Sequence, residues 1–221
     1  GLYIAQCNLL AAIGFGWLNQ STLRYYSVDK LESHFVEAQV KAFIIAGISS
    51  LLLLTLFSFF QKMDWLVWCV SIWVILSTGG FNFIKTKYQA KIQPLNMMWF
   101  ASAQALLAFT IPLFLLVGFQ KNGVILLLGV GISYSLVLVA PALKYSSLLF
   151  RSGRSLRLSA KNYWIKKWLL FGGPLSIWFA MGLAFPFLDR MFISYYGTPN
   201  TLGGYVSIQE LLTRVFSLTL F

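Results

Sequence analysis

The side chains that most often carry out catalysis or bind metals are scarce in this sequence. It contains one histidine, His34, and two cysteines, Cys7 and Cys69, among 221 residues. Zinc and iron–sulfur sites need several such ligands at short spacing, and an ATP-binding P-loop needs the pattern G-x-x-x-x-G-K-[ST]. The sequence contains neither arrangement. We therefore expect no catalytic set, no metal site, no cofactor and no ATPase of its own, and we do not predict an enzyme.

Charged residues inside apolar segments are the more informative candidates. Asp189 and Arg190 are adjacent at the end of one long apolar segment, and Glu210 and Arg214 lie four residues apart in the next. An acid that precedes a base at this spacing favours an ion pair on one helix. Charges at membrane depth are costly, so they pair or face an aqueous cavity. We expect each pair either to anchor neighbouring helices or to act as a gate or ion site on a transport path.

The apolar segments themselves predict membrane-spanning helices. Hydrophobic residues make up 58% of the chain and charged residues 10%, whereas about a quarter of a soluble domain is charged. A helix needs about 20 apolar residues to cross the hydrocarbon layer, and the long uncharged segments do not alternate as barrel strands do. These segments are 1–23, 42–61, 65–84, 92–120, 122–143 and 168–188. The predicted fold class is all-α: a polytopic transmembrane helical bundle with six complete spans and part of a seventh.

The connections between the predicted spans differ in their content of lysine and arginine. Segments 24–41, 85–91 and 144–167 carry three, three and seven of these residues, whereas the connections around Lys62 and Lys121 carry one each. Rich and poor connections alternate, as consecutive crossings of a membrane require. Cytoplasmic loops are enriched in Lys and Arg, so we place the rich segments in the cytoplasm. The net charge of +11 is then explained by topology and by contact with membrane lipids, and not by nucleic-acid binding.

The ends and the longest polar segment bear on domain organisation. The chain begins and ends inside apolar segments, so we expect a fragment of a longer protein with an odd number of spans before Gly1. Segment 151–167 is predicted to be a basic cytoplasmic linker, either an amphipathic helix on the membrane surface or a solvated connection.

A G-x-Y pattern followed by Leu-Leu begins at Gly1 and again at Gly203, which suggests parallel repeats. The predicted domains are one lobe at 1–150 lacking its first span, the linker, and the start of a second lobe at 168–221.

Two stretches of the sequence resemble one transporter family. The first is the opening helix, with its G-x-Y start and its end at Arg24-Tyr-Tyr. The second runs from a G-x-P start at Pro174 through the Asp189-Arg190 pair to the G-Y restart at Tyr205. Both are similar to spans of bacterial polysaccharide and O-antigen flippases, members of the multidrug/oligosaccharidyl-lipid/polysaccharide exporter superfamily. The specific motifs occupy only about 1–26 and 171–214, and the spans between them match in order and loop charge alone.

This resemblance implies a fold, a location and an activity. The fold would be a two-lobed, inverted-V transporter, of which this chain holds about spans two to eight. The protein would be a multi-pass component of the bacterial cytoplasmic (inner) membrane that serves polysaccharide or lipopolysaccharide synthesis. It would flip a lipid-linked oligosaccharide across the membrane by alternating access. Its partners would be the polyprenyl-pyrophosphate glycan, membrane lipids and glycan-assembly proteins.

The transport mechanism has three sets of candidate residues. A pyrophosphate is anionic and needs cations along its path, and prolines within helices permit kinks. The candidates are Arg24, Arg190 and Arg214 for the substrate path, Asp189 and Glu210 for gating or ion pairing, and Pro174 and Pro186 for hinges.

Two other functions stay open at this point. A multidrug cation exporter of the same superfamily would need acidic residues in its cavity, and the spans offer Asp189 and Glu210. A membrane glycan polymerase or acyltransferase would need a catalytic histidine or carboxylate in a long external loop, but the predicted external connections are short. The flippase is the leading expectation.

Labelling of single cysteines tests the predicted topology. In the full-length protein lacking Cys7 and Cys69, Lys121→Cys should react with a membrane-impermeant thiol reagent applied from outside, because its connection is poor in cations. Arg154→Cys should be protected until the membrane is permeabilised. The opposite labelling pattern would reverse the orientation of every span.

Overall fold

The computed structural model describes the backbone of residues 2–29, 35–118, 123–152 and 158–219. Side chains are described within these ranges except at 27–29, 36, 142–152, 158–162, 199, 210 and 213–219. The described residues form seven α-helices and no β-strand, which confirms the all-α class. The helices are α1 (Leu2–Asp29), α2 (Phe35–Gln61), α3 (Trp65–Ala90), α4 (Pro94–Gly118), α5 (Gly123–Ser152), α6 (Leu158–Tyr196) and α7 (Pro199–Thr219).

Five helices, α2 to α6, are long and apolar enough to cross a membrane. Their apolar segments are Glu37–Gln61, Trp65–Ala90, Pro94–Gly118, Gly123–Pro141 and Tyr163–Tyr196. Within the described residues the chain is therefore a multi-pass membrane protein, as its composition predicts. The two-lobed transporter arrangement remains a prediction.

Helix α1 coincides with the first predicted span but is less apolar than the other five. It is 28 residues long and carries polar side chains such as Gln6 and Asn19. Helix α6 covers it most extensively, and α3 and α2 cover further faces. Leu10, Phe15 and Leu18 are among the most buried large side chains that the structure describes. Because α1 is surrounded mainly by other helices, it does not need the apolarity of a helix that faces lipid.

Helices α1 and α6 run antiparallel, and small residues line their contact. A Cβ on Gly16 of α1 would lie 2.8 Å from the Cβ of Ser176, and the hydroxyl of Ser21 donates a hydrogen bond of 2.7 Å to the carbonyl of Trp168. Small residues at every fourth position let two helix backbones approach closely. On α6 they are Gly172, Ser176, Ala180 and Ala184.

Phe15 connects α1 to two more helices. Its ring lies against Gly79 of α3, where a Cβ would overlap it, and its centroid is 5.0 Å from that of Phe43 on α2. Phe43 in turn contacts Phe83 of α3, with centroids 5.5 Å apart. Aromatic pairs at these distances stabilise packing beyond the area they bury. This side chain therefore ties α1, α2 and α3 into one core.

The cation-rich segments meet at one end of the bundle, where α1 and α3 end and α2 and α6 begin. We call it the basic end. The Nζ of Lys167 on α6 lies 4.5 Å from the ring centroid of Tyr25 on α1. The Nζ of Lys91, just after α3, lies 5.8 Å from that of Tyr26. Two of the segments predicted to share the cytoplasmic side, 85–91 and 144–167, therefore each contact the third, 24–41.

Much of the predicted linker 151–167 is part of a helix. Helix α5 extends to Ser152, and α6 begins at Leu158 and continues through Pro174 and Pro186 to Tyr196, over 39 residues. A helix of that length measures about 58 Å, whereas the hydrocarbon layer is about 30 Å thick. Part of α6 must therefore extend beyond that layer, even if the helix tilts.

Two glycines of α6 test its contact with α1. Gly172→Ala should destabilise the protein by about 1–3 kcal/mol, as overpacking typically does, because the new Cβ would overlap the backbone carbonyl of Trp17 and lie 2.6 Å from the hydroxyl oxygen of Ser21. Gly182→Ala, on the same helix, is the matched control, since no atom lies within 4 Å of its added Cβ.

Both changes bring the same gain in helix propensity, about 1 kcal/mol, so that term cancels in the comparison. The measurement is the thermal midpoint of the purified full-length protein in detergent. A lower midpoint for the Gly182→Ala variant than for the Gly172→Ala variant, or no difference between them, would contradict the close contact.

Candidate functional site

Helices α6 and α7 form a hairpin whose turn is fixed by two threonines. The hydroxyl oxygen of Thr198 accepts a hydrogen bond of 3.3 Å from the N–H of Thr201, and the hydroxyl oxygen of Thr201 accepts one of 3.1 Å from the N–H of Thr198. This reciprocal pattern is that of a capping box, with threonine in the place of the usual Glu or Gln. Pro199 occupies the first helical position, where its missing N–H is not needed. The turn therefore follows from the local sequence.

Asp189, a gating candidate, is hydrogen-bonded to α7. The hydroxyl of Tyr205 donates to its Oδ2 at 3.1 Å, and the Asp189 side chain is exposed at the surface of the described residues. Because Asp189 precedes Tyr196, the last residue of α6, by two turns, it sits close to the hairpin turn. The carboxylate is thus fixed to the neighbouring helix by a neutral donor.

Arg190, a substrate-path candidate, is also hydrogen-bonded to α7. Its Nε and Nη2 both donate to Oε1 of Gln209, each at 3.3 Å. Tyr205 and Gln209 are four residues apart, so they share one face of α7. That face binds the two adjacent charged residues of α6. We call Asp189, Arg190, Tyr205 and Gln209 the hairpin cluster.

Arg24 is the other substrate-path candidate whose side chain the structure describes, and it lies at the basic end. Its Cζ is 4.2 Å from the ring centroid of Phe171 on α6 and 5.7 Å from that of Tyr25. The rings of Tyr25 and Phe171 contact each other edge to face, with centroids 5.8 Å apart. Cations within about 6 Å of an aromatic face are attracted to it. The guanidinium is therefore positioned by rings from both helices.

The structure separates the arginines that the sequence suggested for one path. Arg190 lies about 28 Å farther along α6 than Phe171, the ring that holds Arg24, at 1.5 Å per residue. Arg24 and Arg190 therefore lie near opposite ends of the α1–α6 pair. The side chains of Arg214 and Glu210 are outside the described residues, although α7 includes both positions.

The two candidate hinges lie within a continuous helix. Pro174 is exposed and Pro186 is half-buried, and α6 shows no break at either residue. Pro186 precedes Asp189 by one turn, so a bend there would move the hairpin cluster relative to α1. Their role as hinges stays a prediction.

Sequence reasoning missed the partners on α7. Tyr205 entered only through the repeated G-x-Y pattern, and Gln209 was not a candidate. The signal that would have identified them is the turn at 197–201, which reverses the chain and brings the first three turns of α7 against the last turns of α6. A residue that can donate to a carboxylate and one that can accept from a guanidinium, four positions apart, would then have stood out.

The described residues contain no group of three or more His, Cys, Asp or Glu side chains close enough to hold a metal ion. Compared with protein-family models, curated proteins and solved structures, the chain has no match. The functional argument therefore depends on the positions of the charged and aromatic side chains.

A double-mutant cycle tests whether the hairpin cluster holds α6 and α7 together. Tyr205→Phe and Asp189→Ala should each lower the thermal midpoint of the full-length protein, because each removes one partner of the same hydrogen bond. The double variant should lose no more than the more harmful single change, since the second change has nothing left to remove.

Tyr195→Phe is the control, because the Tyr195 side chain is 80% exposed and lies on α6, the helix that carries Asp189. Strictly additive losses from Tyr205→Phe and Asp189→Ala would show that the two side chains do not interact in the protein.

Proposed function

We propose that this protein moves a lipid-linked oligosaccharide across a membrane by alternating access. The observation that carries the proposal is the Arg190 guanidinium, which Gln209 orients near the end of α6 opposite the basic end. A lipid-linked glycan carries its negative charge in the pyrophosphate, which must leave water on one side and reach it on the other. A cation near one end of the helix pair lowers the cost of the step at that end.

The choice between an anionic and a cationic substrate depends on the charged side chains of α6 and α7, because the cations in the connections are explained by topology. A multidrug cation exporter, the alternative of the same superfamily, would use carboxylates for its substrate. Asp189 is exposed and supports that alternative, but the guanidinium of the adjacent Arg190 would repel a cation. We therefore favour the flippase, and a glycan polymerase or acyltransferase ranks below both.

In this proposal the hairpin cluster is the contact at the end of the bundle opposite the basic end. Gln209 fixes the Arg190 guanidinium through two of its nitrogens, so that the cation is oriented before the pyrophosphate arrives. The Tyr205 hydroxyl donates a hydrogen bond to the Asp189 carboxylate, which keeps that carboxylate from contacting the substrate. Arg214 is proposed as a further contact on α7, with Glu210 as its pair on the same helix.

Export of surface glycan by the full-length protein tests this proposal. Arg190→Ala and Arg214→Ala should each reduce export about tenfold, the effect of losing roughly one charge-assisted hydrogen bond, while the protein inserts normally. Arg190→Lys should export more glycan than Arg190→Ala if a cation alone is needed. It should export about as little as Arg190→Ala if the two-nitrogen geometry matters. Lys62→Ala removes a cation from the connection between α2 and α3, and serves as the control.

Protein abundance measured in parallel separates transport from folding. If the charges of Glu210 and Arg214 only stabilise each other, the double change Glu210→Gln with Arg214→Gln should be tolerated. Normal export from well-inserted Arg190→Ala, Arg214→Ala and the double variant would remove these residues from the substrate path.

A further inference from the structure

The basic end has an excess of positive charge among its described side chains. The acidic side chain described there is Glu37, in the first turn of α2. The described cations there include Arg24, Lys87, Lys91, Lys166 and Lys167. A ligand that complements this end is therefore an anion.

Arg24 has a geometry suited to phosphate. Its side chain is exposed, and its guanidinium carbon lies 4.2 Å from the centroid of the Phe171 ring. A guanidinium over a ring keeps its planar set of N–H donors, which can bind two oxygens of a phosphate. The ring also limits the conformations of the long side chain, so less entropy is lost when an anion binds.

A second cation, Lys167, contacts Tyr25, one of the two rings near Arg24. The Nζ of Lys167 is 4.5 Å from the ring centroid of Tyr25 and 4.6 Å from that of Trp164. Tyr25 also contacts the ring of Phe171, which holds Arg24. Cations from α1 and α6 thus both lie within about 6 Å of the centroid of the Tyr25 ring. Trp and Tyr are the side chains that concentrate at membrane–water interfaces.

Exposed apolar residues continue from these cations toward the middle of the bundle. Leu170 is 67% exposed and Leu23 is 39% exposed. Leu170 lies three residues beyond Lys167 on α6, so the two side chains are neighbours on the helix surface. A free phosphate would leave this apolar surface without a partner. A molecule with a phosphate and an acyl chain fits both parts.

We propose that the Arg24–Lys167 cluster binds the phosphate of an anionic membrane phospholipid, whose acyl chain lies along Leu170. Anionic lipids are concentrated in the cytoplasmic leaflet, where basic pockets between helices bind their headgroups. The site joins α1 to α6 at the basic end and is separate from the hairpin cluster. It would therefore make the α1–α6 contact sensitive to lipid composition, whatever the protein transports.

Native mass spectrometry of the purified full-length protein tests this site. The protein is titrated in detergent with phosphatidylglycerol and, separately, with the zwitterionic phosphatidylcholine. Arg24→Gln and Lys167→Gln should each weaken phosphatidylglycerol binding about fivefold, the contribution of one cation near the membrane surface, and leave phosphatidylcholine unchanged. Lys62→Gln removes the same charge in the connection between α2 and α3, and should change neither lipid.

Phe171→Leu keeps every charge and removes the ring beneath Arg24, so it should also weaken phosphatidylglycerol binding. This variant separates a shaped site from net charge, and it tests the site even if Arg24→Gln folds poorly. Equal binding of the two lipids by the unmodified protein, or an equal loss with Lys62→Gln, would overturn the proposal.

Two competitors distinguish the phospholipid from other phosphates. Millimolar inorganic phosphate should leave bound phosphatidylglycerol in place, because it lacks the acyl chain. A polyprenyl pyrophosphate should not displace the phospholipid at equal concentration, and displacement by either competitor would overturn the proposal. The glycan-export result for Arg190 is independent, so failure of the lipid site and failure of the transport function are distinguishable.

Discussion

Helices α1 and α6 approach closely because Gly172 leaves room for the carbonyl of Trp17, and Gly16 leaves room for Ser176. In a membrane the lipid tails are as apolar as the helices, so association depends on packing and on hydrogen bonds between helices. The Ser21 hydroxyl supplies one such bond to the Trp168 carbonyl. The positions of the other functional groups follow from this contact, because α6 carries Phe171 and Lys167 at one end and the hairpin cluster at the other.

The same contact explains why the cations are distributed over two places. Antiparallel packing brings the end of α1 beside the start of α6, so Arg24 meets the rings of the basic end. It also leaves the last turns of α6 to α7, which binds Asp189 and Arg190 through Tyr205 and Gln209. One end is thus proposed to bind membrane lipid and the other to contact the substrate. Movement of α6 relative to α1 would affect both.

The helical bundle was readable from the sequence because its signal is simple. Long uncharged segments must be helices that satisfy their own backbone hydrogen bonds in lipid, and five of them are confirmed as long and apolar enough to span. The position of the Lys- and Arg-rich connections at one end of the bundle was also predictable, because rich and poor connections alternate along the sequence. The partners of Arg24 and Arg190 were not predictable, because Phe171 and Gln209 reach them through tertiary packing. No spacing rule in the sequence pairs Gly16 with Ser176, and their proximity depends on how deeply two helices interlock.

Disulfide formation between Gly16→Cys and Ser176→Cys is the most direct test of the packing on which this account depends. In the full-length protein lacking Cys7 and Cys69, the two Cβ atoms would lie 2.8 Å apart. A disulfide needs about 3.5–4.5 Å, so a small outward shift allows the bond. The account predicts rapid cross-linking in native membranes, seen as fragments that stay joined after cleavage at a protease site inserted within 119–122. It predicts little cross-linking when Gly173→Cys replaces Ser176→Cys. Equal cross-linking of both pairs, or none in the first, would contradict the close antiparallel packing of α1 and α6.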